Sequence, residues 1–349
     1  MTGSSTINKS VVIGVDGGQS STTALVGSLD GRPLGWAASG PIWHIDEPGG
    51  QERVKAALTS SIRSALQRAG CPPDRVSVAY LGLTGSTGAA VAVAAVLLPQ
   101  AKIIVDSDAM AALASGAYGG QGIVVIAGTG SVAVGIGSDG GPVFRGGWGP
   151  TLGDDGSGYW IGLSALRAIA LADDGIGPAT ALTSALVGAL RLDSVRELFD
   201  LVYSGRLDRG AIAALTPLVT GAAEAGDVAA TAIINEAVEH LAALVQATAA
   251  GVALAGENRR VVLGGGVLAA DGPIADALVT ELSRRLPGFE IVRPIVPPVV
   301  GAYYLALQAS GLRLDHEVLR AQAKSEAWPQ ALRNTSHAGQ TTTQEAELP

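Results

Sequence analysis

The first third of the chain alternates short apolar runs with turns rich in glycine and serine. Residues 11–15 form one such run, closed by Asp16, and this pattern is typical of a buried strand. After a polar turn, a second strand is predicted over 23–28, and an Asp-Gly turn leads into a third strand that ends near Trp36. The chain therefore begins with three predicted strands and a polar loop after the first.

Strands and helices continue to alternate beyond this hairpin. A helix is predicted over 52–69, because its apolar positions fall on one face. The stretch 159–240 is mostly helical in pattern, with breaks at 175–178 and 226–227. The remaining predicted elements are strands over 76–83, 102–105, 123–127, 132–136, 261–263 and 291–296, and a helix over about 301–311.

The order of strand, glycine loop, hairpin and Gly-Trp pair occurs twice in this pattern. Segments 11–36 and 123–148 have equal length. A repeated order of this kind indicates two related domains that face one another. The identities at this offset include Gly18 with Gly130, Gly35 with Gly147, and Trp36 with Trp148.

The composition of the chain is informative mainly because it excludes several classes of protein. The 349 residues suffice for two domains, and a hydrophobic content of 48% supplies a large core. The net charge of −8 argues against nucleic-acid binding. The single cysteine, Cys71, excludes a disulfide framework, a cysteine-built zinc site and an iron–sulfur cluster within one chain. Neither a signal peptide nor a membrane span is evident, so we expect a cytoplasmic protein without membrane partners; the polar tail 334–349 is expected to be disordered.

The loop after the first strand has the composition of a phosphate-binding turn. Its glycines would let the backbone approach a polyphosphate, and its amides and hydroxyls are hydrogen-bond donors. A carboxylate at this place suits a hydrated Mg²⁺ ion. A plain hairpin turn explains the same composition equally well, and the Gly-Lys-Ser/Thr ending of a Walker loop is missing. The loop reads Asp16, Gly17, Gly18, Gln19, Ser20, Ser21, Thr22.

A second glycine loop, Gly128-Thr129-Gly130-Ser131, occupies the equivalent place in the second half. Two such loops could grip one triphosphate from both sides, which favours phosphate binding over two unrelated turns. The triplet Gly264-Gly265-Gly266 follows another predicted strand and could pass a nucleotide base or ribose closely. A tight turn from strand to helix is the simpler explanation of that triplet.

Two carboxylates follow the strand predicted over 102–105. Asp108 opens a helical run, and a carboxylate in this position can accept a proton from an attacking hydroxyl. It could equally be a helix N-cap, which is a common role of aspartate. Asp106, two residues earlier, is the competing candidate, and spacing does not separate the two.

The segment 146–160 concentrates glycine with two tryptophans and two aspartates. So many glycines beside Trp148 and Trp160 are unusual for a core. Carboxylates such as Asp154 bind sugar hydroxyls, and an indole offers a flat apolar face to a pyranose ring. The alternative is a structured loop that caps the following helix.

Together these motifs resemble the N-acetylglucosamine and glucosamine kinase branch of the BadF/BadG/BcrA/BcrD-type ATPases, within the actin/hexokinase/Hsp70-like superfamily. The matching motifs extend from Asp16 to about Gly301, and the Gly-Gly-Trp-Gly-x-x-x-Gly-Asp segment at 146–154 is the most specific of them. The resemblance implies an α/β fold of two ribonuclease H-like, actin/hexokinase-type lobes, with ATP and sugar in the cleft between them. The first lobe would span 1–115 with the return of a C-terminal helix at 301–320, and the second, with a helical insertion, 116–300.

The resemblance also implies roles for individual residues. Asp16 would help to hold Mg²⁺, and Asp108 would be the base that deprotonates the sugar hydroxyl. The residues assigned in this way to ATP are Gly17, Gly18, Gln19, Ser20, Ser21, Thr22, Thr129, Gly130, Ser131, Gly264, Gly265 and Gly266. Those assigned to the sugar are Thr84, Gly85, Asp108, Gly147, Trp148 and Asp154.

The loop after the third strand helps to indicate which sugar accepts the phosphoryl group. It reads Ser39-Gly40-Pro41-Ile42-Trp43-His44, without the Asn that N-acetylglucosamine kinases usually carry there. This departure favours free glucosamine, whose ammonium the acidic pairs 46–47 and 154–155 could meet. The expected activity is therefore ATP:glucosamine 6-phosphotransferase, with N-acetylglucosamine as the alternative acceptor and a homodimer as the expected assembly.

Three rival functions share parts of this pattern. An ATPase that activates a partner enzyme is the alternative from another class, but such activators hold an iron–sulfur cluster with cysteines, and Cys71 alone gives one ligand per subunit. A sugar-responsive repressor needs a helix-turn-helix, for which the residues before the first strand leave no room. The cysteine-rich zinc motif of the ROK sugar kinases is missing.

Overall fold

The computed structural model describes residues 10–18, 21–42, 49–85, 88–117, 120–138, 141–268, 272–294 and 296–312. The chain divides into two compact units: unit 1 runs to Gln121 and resumes at Pro294, and unit 2 is the continuous segment Gly122–Arg293. Each unit contains one five-stranded sheet in its described residues. The predicted α/β class with two lobes is confirmed, whereas the boundaries fall at 121/122 and 293/294 rather than at 115/116 and 300/301.

The sheet of unit 1 has the strand order β3-β2-β1-β4-β5. The first three strands are antiparallel, and β4 and β5 continue the sheet in parallel from β1. Its strands are β1 (Val11–Gly17), β2 (Thr22–Ser28), β3 (Pro33–Ser39), β4 (Val76–Leu83) and β5 (Lys102–Ser107). Its helices are α1 (Gly50–Arg68), α2 (Gly88–Leu97), α3 (Asp108–Ala117) and α11 (Pro298–Ala309).

Strand β1 is apolar from Val11 to Val15 because both faces of its sheet are covered there. Ile13 and Val15 join a core cluster with the side chains of α1, whereas Val12 joins a cluster with α11. Side chains alternate between the two faces of a strand, so successive residues of β1 enter different cores. This explains why an unbroken apolar run, and not an alternating one, marks the first strand.

Helix α11 brings the C-terminal part of the chain back onto the first strands. A Cβ on Gly14 would lie 2.2 Å from the backbone nitrogen of Tyr303, and one on Gly301 would lie 2.0 Å from the carbonyl oxygen of Ala111 in α3. The Tyr303 hydroxyl donates a hydrogen bond of 2.6 Å to the carbonyl of Ser28. Glycine is therefore needed at both contacts, because a larger residue would push α11 away from the sheet at Gly14 and away from α3 at Gly301.

The sheet of unit 2 has the strand order β10-β9-β6-β7-β8 and repeats the pattern of unit 1, with an antiparallel β6-β7-β8 meander and parallel β9 and β10. Its strands are β6 (Gly122–Ala127), β7 (Ser131–Ile136), β8 (Pro142–Gly146), β9 (Arg260–Gly264) and β10 (Glu290–Val292). Its helices are α4 (Gly158–Asp173), α5 (Leu182–Ala189), α6 (Glu197–Tyr203), α7 (Arg209–Ala213), α8 (Thr216–Glu224), α9 (Val228–Ala249) and α10 (Pro273–Arg285).

Helix α9 is the longest helix of unit 2 and supplies much of its core. Asp227 caps it by accepting a hydrogen bond of 2.9 Å from the amide of Ala230. Among the described residues, α9 is also the one helix long and apolar enough to cross a membrane by length and composition. Its buried side chains join the main core cluster of the unit with those of β6, α4, α8 and α10, as expected for the core helix of a folded domain.

Several elements differ from those predicted. Strand β3 continues to Ser39, beyond Trp36, because it pairs with β2 as far as Thr22. The strand predicted over 291–296 is three residues long and ends at Val292, shortly before Pro294 and Pro297, which have no N–H to donate to a ladder. Helices α2 and α10 were not predicted at all. The predicted return helix begins at Pro298, and residues 313–320 and the tail 334–349 lie outside the described residues.

Candidate active site

Asp16 lies at the carboxyl end of β1, where it pairs with Thr23 of β2 and Gly82 of β4. Its side chain is half-buried. Burial, and secondarily the negative charge of Asp108, raises the pKa of the Asp16 carboxyl to about 7. No described residue donates a hydrogen bond to this carboxylate. A carboxylate at the end of a central strand, without a donor among the described residues, is suited to a cation or to a transferable proton.

Asp108 is the first residue of α3 and follows β5 directly. Burial raises the pKa of its carboxyl, although hydrogen bonds from the Ser107 hydroxyl and from the amides of the first helical turn oppose that change. The Ser107 hydroxyl donates to Oδ1 of Asp108 across 3.3 Å. A raised pKa makes the Asp108 carboxylate a better proton acceptor than an exposed aspartate.

Both carboxylate oxygens of the competing residue, Asp106, accept hydrogen bonds from neighbouring groups. Its Oδ2 accepts a hydrogen bond of 2.9 Å from the Tyr80 hydroxyl, and its Oδ1 accepts one of 2.7 Å from the amide of Ser107. Burial first, and then the neighbouring Asp106, raises the pKa of the Tyr80 phenol, so this proton stays on the phenol. The structure thus gives Asp106 a fixed local role that Asp108 does not have.

The first glycine loop meets the end of β4. The amide of Thr84 donates to the carbonyl of Gly17 across 2.9 Å, and the amide of Ile42 donates to that of Gly18 across 3.0 Å. Gly18 itself donates to the carbonyl of Ser21 across 2.9 Å, which closes the loop. These bonds bring Thr84, and with it Gly85, beside the loop that was predicted to bind phosphate.

The residues of this loop that were predicted to bind ATP differ in burial and in the contacts they make. Thr22 is fully buried, and its hydroxyl donates to the carbonyl of Gly40 across 2.8 Å, which gives that side chain a structural role. Gly18 has open space where a Cβ would stand, whereas Gly17 packs against Ile42. Gln19 and Ser20 lie outside the described residues.

The second glycine loop, 128–131, is held from the segment that follows β8. The amide of Gly128 donates to the carbonyl of Gly130 across 2.9 Å, and the amide of Gly158 donates to the carbonyl of Gly128 across 2.8 Å. Ser131 is buried and its hydroxyl donates to the carbonyl of Asp155 across 2.8 Å. The Ser131 hydroxyl therefore ties the end of the loop to the segment after β8, and Gly128, Thr129 and Gly130 are its half-buried members.

Asp154 joins this loop to the helical insertion, the helices α4 to α9 between β8 and β9. It is 5% exposed and adopts a left-handed backbone conformation with φ 60°. Its Oδ1 accepts a hydrogen bond of 3.2 Å from the amide of Ser131, and its Oδ2 forms an ion pair with Arg209 of α7. Both oxygens are thus engaged within unit 2, and the predicted contact of Asp154 with a sugar stays a prediction.

Arg209 was missed by the sequence reasoning. It is 55 residues away from Asp154 in the chain, in a short helix whose sequence carries no motif. No periodicity or composition could have paired the two, because the contact depends on how the insertion folds over the sheet.

The other predicted sugar ligands of unit 2 lie in the turn after β8. Gly147 has φ 72° and its amide donates to the carbonyl of Ser131 across 2.9 Å, so this turn is anchored to the second loop. Trp148 is 73% exposed. An exposed indole beside an anchored glycine turn offers the flat apolar face on which a sugar ring can stack.

The glycine triplet lies beside the second loop, because β9 pairs with β6 and brings Gly264 next to Ile126. Gly265 has φ 87°, and a Cβ there would lie 2.3 Å from the carbonyl oxygen of Ala127. No atom of the described residues lies within 4 Å of the place that a Cβ on Gly266 would take. Gly265 is thus required by the fold, and Gly266 leaves space for a ligand.

The carboxylates fit a magnesium ion better than a metal held by protein ligands alone. Among the described residues there is no group of three or more His, Cys, Asp or Glu side chains that could hold a metal. Mg²⁺ bound with phosphates takes one or two carboxylates and keeps several waters. Asp16 is half-buried, has no donor within the part of the chain that the structure describes, and fits this role.

The structure therefore assembles two sets of predicted residues, one in each unit. Unit 1 holds Asp16, Gly17, Gly18, Ser21, Thr22, Thr84, Gly85 and Asp108, and unit 2 holds Thr129, Gly130, Ser131, Gly147, Trp148, Asp154, Gly264, Gly265 and Gly266.

Three characterised proteins are similar to this chain in sequence. An N-acetylmuramic acid/N-acetylglucosamine kinase of Clostridium acetobutylicum is 32% identical over 84% of this chain and 97% of its own. An N-acetyl-D-glucosamine kinase of Dictyostelium discoideum is 30% identical over 87% of this chain and 99% of its own. The glucosamine kinase GspK of Vibrio cholerae is 31% identical over 52% of this chain and 62% of its own.

The fold and the family agree with these relatives. The crystal structure of a Chromobacterium violaceum protein, provisionally named an N-acetylglucosamine kinase, is 29% identical, with a TM-score of 0.67, and the match covers 86% of this chain and 100% of that one. The BadF/BadG/BcrA/BcrD ATPase family matches residues 13–306. Because this match spans most of both units and includes both glycine loops, the chain belongs to the BadF/BadG/BcrA/BcrD ATPase family.

Proposed function

We propose that this protein is an ATP-dependent kinase that transfers the γ-phosphoryl group of ATP to the 6-hydroxyl of an amino sugar. The observation that carries the proposal is Asp108, a half-buried carboxylate with a raised pKa at the start of α3, in the same unit as the carboxylate of Asp16. The amino-sugar kinases among its relatives, aligned over most of the chain, support the substrate class.

The proposed chemistry needs little from the protein beyond positioning and charge neutralisation. Asp108 would accept the proton of the sugar hydroxyl as its oxygen attacks the γ-phosphorus and the bond to ADP breaks. Asp16 would hold Mg²⁺, which neutralises the charge of the phosphates.

The glycine loops and the glycine triplet would bind the nucleotide. Amides of the 16–22 and 128–131 loops would donate to the phosphate oxygens, as glycine-rich loops do elsewhere. The open space at Gly266 supports its assignment to the adenosine. Thr84 and Gly85, and the turn at Gly147 and Trp148, would bind the sugar.

For the acceptor, we propose an N-acetylated amino sugar in place of the free glucosamine expected from the sequence. That expectation depended partly on free acidic pairs, but Arg209 neutralises Asp154, and residues 46–47 lie outside the described residues. A neutralised carboxylate offers little to an ammonium group. Free glucosamine is the second candidate, supported by the loop at 39–44, which lacks an Asn, and by the Vibrio cholerae relative.

A coupled assay of ADP release with N-acetylglucosamine, glucosamine and glucose tests both levels of the proposal. We expect the highest kcat/KM with N-acetylglucosamine and a product phosphorylated on the 6-hydroxyl. A higher kcat/KM with glucosamine would reverse the choice of acceptor and leave the kinase intact. Sugar-independent ATP hydrolysis, unchanged by any of the three, would overturn the kinase and favour an ATPase that acts on a partner. A homodimer and a cytoplasmic location remain predictions.

A further inference from the structure

Arg209, the first residue of α7, packs against the second glycine loop. Its guanidinium forms the ion pair with Asp154, and Nη2 lies 3.5 Å from the carbonyl oxygen of Thr129. Its guanidinium carbon lies 5.8 Å from the centroid of the Tyr159 ring, within the range of a cation–π contact. The Nε of Arg209 is buried and has no hydrogen-bond partner among the described residues.

The ion pair lies against the backbone of the loop at Gly130. A Cβ on Gly130 would lie 2.9 Å from Nη2 of Arg209 and 2.9 Å from Oδ2 of Asp154. The other carboxylate oxygen of Asp154 accepts the amide of Ser131, at the end of the same loop. Arg209 and Asp154 together therefore contact every residue from Thr129 to Ser131.

The burial of Asp154 depends on its ion pair with Arg209. Asp154 is almost fully buried, and a buried carboxylate is tolerated only when it is paired. Arg209 keeps 28% of its side chain exposed, so it supplies the cation from the surface side. The loop is thus contacted by a cation that comes from the helical insertion, outside the strand–loop–strand motif itself.

We propose that Arg209 is a positioning residue that holds the 128–131 loop in the conformation that binds the phosphates of ATP. It acts through Asp154 and through the carbonyl of Thr129. This proposal depends on the assignment of that loop to the phosphates under the proposed function. The rival explanation is that the ion pair only attaches α7 to the rest of unit 2.

Three variants and one matched control separate these explanations. Arg209→Met removes the cation and leaves Asp154 buried without it, which destabilises the fold. Asp154→Asn, combined with Arg209→Met, removes that unpaired charge and keeps an oxygen that can accept the amide of Ser131. Arg209→Lys keeps the charge but lacks the planar fork. The control is Arg206→Met, an exposed arginine of the same insertion that bonds Ser204.

The readouts are the melting temperature, ADP affinity by isothermal titration, and KM and kcat for ATP. We expect Arg209→Met to weaken ADP binding about tenfold, the size of one lost charge-assisted hydrogen bond, with KM for ATP raised more than kcat is lowered. The double variant should regain the melting temperature of the wild type but not its ADP affinity. The ADP affinity of Arg209→Lys should lie between that of the double variant and that of the wild type. Arg206→Met should match the wild type.

A double variant that regains both stability and ADP affinity would overturn the proposal, because the ion pair would then act on stability alone. If Arg209→Met does not fold, the double variant and Arg209→Lys still decide the question. ADP titration needs no sugar, so a wild type that binds ADP but phosphorylates none of the sugars overturns the proposed function and not the role of Arg209. A wild type that binds no ADP overturns both.

Discussion

The hydroxyl of Tyr80 donates a hydrogen bond of 2.9 Å to the carboxylate of Asp106. This bond ties the end of β5 to β4 and, with the amide of Ser107 on the other oxygen, occupies Asp106 from two sides. Within the described part of the chain, the hydrogen bonds that oppose the effect of burial on Asp108 come from the Ser107 hydroxyl and from amides at the start of α3. Burial outweighs them, so the pKa of the Asp108 carboxyl is raised. The two aspartates, which spacing could not separate, thus differ in their surroundings.

Asp108→Asn should therefore abolish most turnover and leave nucleotide binding intact. Loss of a general base lowers kcat by about 10²–10⁴-fold. Steady-state kinetics and ADP titration on the same preparation measure the two effects. Asp106→Asn is the matched comparison, and it should retain far more activity because its role is to bond Tyr80 and Ser107. The assignment would be reversed if Asp106→Asn lost turnover and Asp108→Asn kept it.

The stability of the metal-free protein should fall as the pH rises from about 4 to about 7. The pKa of Asp16 is about 7 in the folded protein, against an ordinary value of 3.8. Between these values the folded state binds more protons than the unfolded state, so the free energy of unfolding decreases with increasing pH. Urea unfolding at several pH values measures this. Asp16→Asn should show a shallower decrease, and equal slopes for the two proteins would contradict the assignment.

Gly265→Ala should destabilise unit 2, whereas Gly266→Ala should not. Alanine at 265 would be held at φ 87° with its Cβ 2.3 Å from the carbonyl oxygen of Ala127, and backbone strain of this kind costs about 1–3 kcal/mol. A Cβ at 266 meets no atom, so the change in unfolding free energy should stay within about 0.5 kcal/mol. Urea unfolding compares the two. Weaker ADP binding by Gly266→Ala at unchanged stability would support its place beside adenosine.

Gly301→Ala should destabilise unit 1 by separating α11 from α3. The added Cβ would lie 2.0 Å from the carbonyl oxygen of Ala111, and overpacking of this kind costs about 1–3 kcal/mol. Gly88→Ala, at the start of α2 with open space around it, is the control and should be neutral or slightly stabilising. Differential scanning calorimetry measures both. Equal melting temperatures for the two variants would show that α11 tolerates displacement.

Much of the fold could be predicted because it depends on local patterns. The run at 11–15 lies between two cores, so it had to be apolar, and the repeated glycine loops mark the same turn in two similar sheets. Helix α2 was missed because its alanine-rich sequence has apolar residues on every side and gives no periodic signal. Helix α10 was missed although its buried residues, Ile274, Ala275, Leu278 and Leu282, recur at helical spacing after Pro273.

The candidate site was predictable as far as single residues carry chemistry. Glycine loops and the aspartate at a helix start can be recognised in sequence, because the residue type itself is what the chemistry requires. The pairing of Asp154 with Arg209, and that of Asp106 with Tyr80, depends on which distant elements the fold brings together. Sequence spacing holds no information on such contacts. The acidic pair at 154–155 was therefore interpreted as free, although Asp154 is paired with Arg209.

The contact between Tyr303 and Ser28 joins residues 275 positions apart. A ribosome releases the first strands of unit 1 long before α11, so the face of β1 at Gly14 stays uncovered until nearly the whole described chain has been synthesised. Unit 2 is continuous in the chain and can complete its core earlier. Unit 1, whose strands are translated first, is therefore the unit that finishes folding last, and a chain truncated before residue 298 would leave one apolar face of its sheet uncovered.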